Sequence, residues 1–161
     1  MSAGFFLLIL SGCQVEEKKK NVSDNATALH KLVDLDIQAT TTRWEAYDSP
    51  EPKRFEFLPT SPDQTILVAE LAPVDPETVA AMAPGGKLHV AADSPRDWLG
   101  ADSRALLTDG AKEGSAGIDT SSISHCRPLT VLYKLKNELA HGFICSADKK
   151  ALVYLTLASY F

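Results

Sequence analysis

Leu129-Thr130-Val131-Leu132-Tyr133-Lys134-Leu135, Leu139-Ala140-His141-Gly142-Phe143-Ile144-Cys145 and Ala151-Leu152-Val153-Tyr154-Leu155-Thr156-Leu157 form the stretch that decides the fold. In the first segment Leu129, Val131, Tyr133 and Leu135 alternate with other residues; Leu139, His141, Phe143 and Cys145 do so in the second, and Ala151, Val153, Leu155 and Leu157 in the third. A period of two puts one set on one face of a strand. Turn-forming residues at Lys136-Asn137-Glu138 and Ser146-Ala147-Asp148-Lys149 separate the segments, so the spacing predicts a three-strand antiparallel meander. A second period competes, since Leu129, Leu132, Leu135 and Leu139 also share one side of a helix over 128–140.

Working toward the N-terminus, Thr65-Ile66-Leu67-Val68-Ala69-Glu70-Leu71 reads as the clearest central strand. A small helix follows, with Asp75 as its cap, Pro76 in the first turn, Glu77 at the positive end of the dipole and Pro84-Gly85-Gly86 as its stop. Shorter strands are expected at Phe55-Glu56-Phe57-Leu58 and Lys87-Leu88-His89-Val90-Ala91, with a helical turn near 102–107 after Ser94-Pro95. Leu29, Leu32 and Val33 have helical spacing, whereas Val33, Leu35, Ile37 and Ala39 alternate. The favoured reading is a short helix leading into a strand that continues to Tyr47 and ends before the loop Asp48-Ser49-Pro50-Glu51-Pro52. Residues 108–124, rich in Gly, Ser, Asp and Ala, read as a long loop.

At the other end of the chain, the charge-free apolar run Phe5-Phe6-Leu7-Leu8-Ile9-Leu10 is far shorter than the roughly 20 residues of a spanning helix. It closes on Leu10-Ser11-Gly12-Cys13, which resembles the lipobox of bacterial lipoproteins: a large aliphatic residue, two small residues and a cysteine. The resemblance covers the first thirteen residues and implies a signal peptide over 1–12, removed in the mature protein, and a diacylglycerol on the Cys13 thiol, with palmitate-type acylation of the new amino group. Each buried methylene contributes about 0.8 kcal/mol, so two or three chains anchor firmly. Where the family usually carries Lys or Arg before the apolar run, Met1-Ser2-Ala3-Gly4 has neither, which points to a weak signal or to a native start further upstream. Gln14 after the cysteine, in place of the Asp that retains such proteins in the inner membrane of Gram-negative enterobacteria, leans toward the outer membrane facing the periplasm.

If Cys13 carries lipid, Cys126 and Cys145 remain as a pair in an oxidising compartment, and a disulfide is expected to join them. That pairing bears on the meander. A hairpin returns Cys145 toward Cys126, whereas a helix over 128–140 would carry the chain about 19 Å away at 1.5 Å per residue. The strand reading is therefore preferred, and the domain is expected to be α+β: a mainly antiparallel sheet with a C-terminal three-strand meander, two or three short helices and one disulfide.

Residues 13–27 are polar and read as a lipidated flexible tether, leaving 28–161 as a single globular α+β domain. The chain is 45% hydrophobic and 23% charged, which suits a folded domain with a core of its own. The net charge of -5 speaks against a nucleic-acid partner, because the only dense basic run, Lys18-Lys19-Lys20, follows Glu16-Glu17 in the tether. The sequons at Asn21 and Asn25 read as coincidence in such a protein.

Candidate chemistry is sparse. His125, Cys126, His141 and Cys145 include zinc-ligand types, but an oxidised cysteine pair cannot supply thiolates, so no metal and no cofactor are expected. Ser146-Ala147-Asp148-Lys149 matches a Ser-x-x-Lys element without its companions and reads as a turn; Gly114-Ser115-Ala116-Gly117 misses a nucleophile elbow by one residue. Asp34 and Asp36 share one face of a strand and read as solvated. Trp44, Tyr47, Phe55, Phe57, Trp98, Tyr160 and Phe161 are core residues by default, or a partner-binding patch where several are exposed together. With no catalytic residue assigned, the expected function is that of a membrane-anchored envelope lipoprotein acting as a non-catalytic protein-binding module. An inhibitor or immunity protein and an accessory subunit of an envelope assembly are its two forms. The alternative is a small envelope hydrolase or peptidoglycan-modifying enzyme built on His89, His125 or His141 with a carboxylate.

Overall fold

The computed structural model describes residues 22–49, 64–82, 96–110 and 125–157. Helix α1 (Ala26–Leu32) precedes strands β1 (Thr41–Ser49) and β2 (Gln64–Ala72). Helices α2 (Pro76–Ala80) and α3 (Ala101–Gly110) lead to β3 (Cys126–Tyr133), β4 (Glu138–Ala147) and β5 (Lys150–Leu157). The strands form one sheet in the order β1-β2-β5-β4-β3, and every neighbouring pair is antiparallel. The domain is thus α+β with a C-terminal meander, and the helical alternative over 128–140 is excluded.

Placing β5 in the middle explains its sequence. From Ala151 to Leu155 every side chain is buried, on both faces alike, as a strand covered on both sides requires. On one face Leu67, Ala69 and Leu71 of β2, Val153 and Leu155 of β5 and Ala140 and Ile144 of β4 pack under α1, the segment after it and α2. On the other face Ile66 and Val68, Leu152 and Tyr154, and Phe143 pack with Trp98, Leu99 and Leu107. The Phe143 and Tyr154 rings, cross-strand partners in the β4–β5 register, stack with centroids 5.2 Å apart.

Short turns fix the meander's register. Asn137 (φ 55°) and Asp148 (φ 54°) take the left-handed conformation in the β3–β4 and β4–β5 turns, a region that Asn and Asp tolerate better than most residues. The expected disulfide is present, joining directly opposed residues across β3 and β4 with Cα atoms 4.0 Å apart.

Each sheet margin is covered at one point by the chain around α1. Ser23 exchanges two backbone hydrogen bonds with Trp44 on β1 (2.7 and 2.8 Å), and Val33 bridges Tyr133 on β3. Pro128 lies on the open side of β3: the bonds Asp34 N to Leu132 O and Lys134 N to Leu32 O show that Leu132, and so Pro128 four residues before it, points its backbone outward. A missing N–H there removes nothing from the ladder and blunts the margin against a further strand.

Several expectations need correction. The alternation through 33–39 is real, with Leu35 and Ile37 buried and Asp34, Asp36 and Gln38 exposed, but residues 34–39 are an extended crossing beneath the sheet and the strand begins at Thr41. Burial on one side produces a period of two whether or not a neighbour supplies a ladder. The strand then runs on through Asp48 and Ser49, which the sequence had suggested as loop. Helix α2 stops at Ala80, and the Asp75 side chain makes no capping bond; its carbonyl accepts from Thr78 N instead. Residues 22–27, read from composition as tether, are ordered by the Trp44 bridge and by Asn25, whose side chain accepts from Ala28 N and caps α1. The strands expected at 55–58 and 87–91, the Gly114–Gly117 element and all but the first residues of the 108–124 loop lie outside the described residues, as does the anchor segment. No described helix is long and apolar enough to cross a membrane.

Candidate functional site

Two glutamates on adjacent strands carry the buried polar chemistry. In the β1–β2 register Arg43 faces Glu70 and Glu45 faces Val68, so both carboxylates leave the sheet on the same side, toward 96–107. Each residue is 8% exposed. A carboxylate in such a place must be partnered to stay charged.

Glu45 Oε1 accepts from Trp98 Nε1 at 2.7 Å and lies 2.8 Å from Arg96 Nε, an ion pair not aligned as a hydrogen bond. The Arg96 guanidinium lies over the Tyr47 ring with its carbon 3.3 Å from the centroid, and Arg43 sits 5.4 Å from a Trp98 ring centroid. Glu70 Oε2 accepts from Ser103 Oγ (2.7 Å) and Gly100 N (3.0 Å), while Oε1 faces Lys150 Nζ at 3.1 Å. Burial pushes the Glu70 carboxyl up, but the bonds from Ser103, Lys150 and Gly100, with the Lys150 charge, outweigh it and hold the group below its ordinary value. Both carboxylates are engaged within the protein. They fasten the 96–104 segment to the sheet rather than present an acid or base to a cleft.

The histidines are scattered. His125, just before β3, and Arg127 on it lie on the side that faces α2, whereas His141 projects from β4 to the opposite face, where Nδ1 meets Thr130 Oγ1 at 3.1 Å. The two cysteine sulfurs are bonded to each other, so the four residues with zinc-ligand chemistry do not converge. Among the described residues no group of three His, Cys, Asp or Glu is arranged to hold a metal ion. Ser146 and Lys149 flank a tight turn with Ser146 N donating to His125 O. Asp34 and Asp36 are exposed, and Asp34 pairs with Lys134 at 2.8 Å on the surface. His89 lies outside the described residues.

Among the aromatics singled out from sequence, Trp98 is buried and Trp44 and Tyr47 are partly buried; Phe55, Phe57, Tyr160 and Phe161 lie outside the described residues. The exposed large apolar side chains are elsewhere: Leu135 (71%) and Leu139 (58%), together at the end of the β3–β4 hairpin. Sequence reading missed Glu45 and Glu70. Glu70 had a usable signal, because a lone charge inside Thr65–Leu71, in a strand read as central, demands a partner; Glu45 beside Trp44 had none.

Comparison with protein-family models, with curated proteins and with solved structures finds no match to the chain.

Proposed function

We propose that the chain is an envelope lipoprotein, anchored through acylated Cys13, whose domain binds a protein partner and performs no catalysis. The observation that carries the binding reading is the pair Leu135 and Leu139. Two large aliphatic side chains stand in solvent at one hairpin end, in a domain that buries its other described large apolar residues wholly or in part. Apolar surface gathered in this way is what association removes from water. The anchor rests on Leu10-Ser11-Gly12-Cys13, and an inhibitor, an immunity protein or an accessory envelope subunit are the forms it suggests. The enzyme alternative calls for a cleft in which His89, His125 or His141 touches Ser, Asp or Glu; among the described residues no hydrogen bond or ion pair joins a histidine ring to a carboxylate, and His89 lies outside them.

The test is affinity capture of the tagged, lipidated protein from envelope extracts, identified by mass spectrometry and run beside Leu135→Ser/Leu139→Ser. A reproducible partner that the double variant loses supports the reading. Capture of the same proteins by both forms, or turnover of a cell-wall substrate without any partner, overturns it. Cys13→Ala should move the protein from the membrane pellet to the soluble fraction, and unchanged pelleting with no acyl adduct rejects the anchor.

A further inference from the structure

Ser23 and Trp44 form an antiparallel bridge at the β1 margin, which places Asp24 beside Arg43. Together with Val22, Ser23 and Trp98, these two residues line an open depression of about 440 Å³ between β1, the 22–24 segment and the chain before α3. That size lies within the roughly 300–1,000 Å³ of small-molecule sites.

The two charges in the depression are exposed, so a ligand can reach both. Arg43 projects to the side of the sheet that carries Glu45 and Glu70, yet those carboxylates have other partners: Arg96 and Trp98 for Glu45, and Ser103, Gly100 and Lys150 for Glu70. The Arg43 guanidinium carbon sits 5.4 Å from a Trp98 ring centroid, which puts the charged head itself, and not only its stem, at a wall of the depression. Among the described residues the Arg43 side chain makes no hydrogen bond or ion pair, and the Asp24 side chain makes none either, although the two are neighbours. Were they to swing together, an exposed pair of this kind would add little, and a ligand could part it.

A lone anion at Arg43 would meet the Asp24 charge, and a lone cation at Asp24 would meet that of Arg43. One molecule that carries both a carboxylate and an ammonium satisfies the two at once, the carboxylate matching the planar fork of the guanidinium. Val22 and Trp98, which belong to the same apolar cluster, give a short side chain something to touch.

We propose that this depression binds a small zwitterion of the amino-acid type, its carboxylate on Arg43 and its ammonium on Asp24. The site stands at β1, across the sheet from the β3 margin, and so does not depend on the partner surface at Leu135 and Leu139.

The full chain, labelled with nitrogen-15, is titrated at matched ionic strength with leucine, with 4-methylpentanoate, which lacks the ammonium, and with 3-methylbutylamine, which lacks the carboxylate. The amides of Val22 and Ser23 and the Trp98 Nε1–H resonance are followed. Saturable shifts with leucine, on the order of 1 mM in affinity, and binding at least about fivefold weaker for either half-ligand support the site. Arg43→Gln and Asp24→Asn should each weaken leucine binding at least about fivefold. Because both side chains are exposed, thermal melts of the variants should overlay that of the wild type, which separates loss of ligand from loss of fold. Resonances that leucine leaves unmoved, a half-ligand that comes closer to leucine than fivefold, or a folded variant that binds leucine undiminished overturns the proposal, and each leaves the outcome of partner capture untouched.

Discussion

Glu45 and Glu70 project from neighbouring strands to the same face and hold different points of one segment, Glu45 at Arg96 and Trp98 and Glu70 at Gly100 and Ser103. The helix that follows is seated by charge-assisted hydrogen bonds at its approach as much as by the burial of Leu99 and Leu107.

Glu70→Gln should destabilise the domain by about 1–3 kcal/mol at neutral pH in urea denaturation. The amide retains one acceptor oxygen where the carboxylate serves three donors with two, and its NH₂ would confront either Ser103 or Lys150. Because the folded carboxyl titrates below its ordinary value near 4.5, it stabilises the fold above that value and the contribution is lost as pH falls through the depressed one. The variant should therefore lose less stability than the wild type on acidification from neutral pH to the region below 4.5. Parallel losses would contradict this account.

Trp98→Phe keeps most of the ring volume but deletes the donor to Glu45, leaving that carboxylate to Arg96 alone. The expected loss is about 1–2 kcal/mol. In a double-mutant cycle with Glu45→Gln, a coupling of at least about 0.5 kcal/mol should appear; strict additivity would show the contact to be idle.

Gly142→Ala and Gly100→Ala make a contrasting pair. At Gly142 a Cβ would overlap the Tyr154 carbonyl oxygen and lie 2.8 Å from Leu155 Cα, so the β4 and β5 backbones would have to part. About 3 kcal/mol of stability should be lost, or folding altogether. At Gly100 the nearest atoms, at 3.0 and 3.1 Å, are the ends of the Glu70 and Lys150 side chains, which need give only a few tenths of an ångström, at a smaller cost to the Glu70 clamp than parting two backbones. Thermal melts should rank Gly142→Ala well below Gly100→Ala, and the reverse order would refute the steric assignment.

Removal of the disulfide by Cys126→Ser/Cys145→Ser should lower stability by about 3 kcal/mol, the magnitude expected for a loop of 19 residues in the chain-entropy picture. Non-reducing peptide mapping of the wild type should recover the two cysteines in one cross-linked fragment, and free thiols at both would reject the pairing.

What the sequence made legible is what short-range period and punctuation encode. The meander and β2 emerge from alternation between turn residues, and α1, α2 and α3 were each anticipated in place if not in length. Leu139 shows where periodicity misleads. It alternates in step with the buried Phe143 and Cys145, yet it stands in solvent at the hairpin end, beyond His141–Thr156, the last β4–β5 pair among the described residues. Glu45 and Trp98 are 53 residues apart, and nothing local to either marks the other. His125, Arg127 and Ser146 are likewise illegible as a group, because only the β3–β4 register and the seating of α2 bring the three to one side of the sheet.

Ser23 and Val33 fasten to opposite margins of the sheet, with α1 slung between them. Among the described residues, tension applied from the N-terminal side would meet the two hydrogen bonds at Trp44 first, then the cap at Asn25 and the turns of α1, and only later the five-strand ladder. The sling would act as a mechanical fuse, peeling back while the sheet and its disulfide keep their shape. In force spectroscopy it should register as a small early extension ahead of the main rupture.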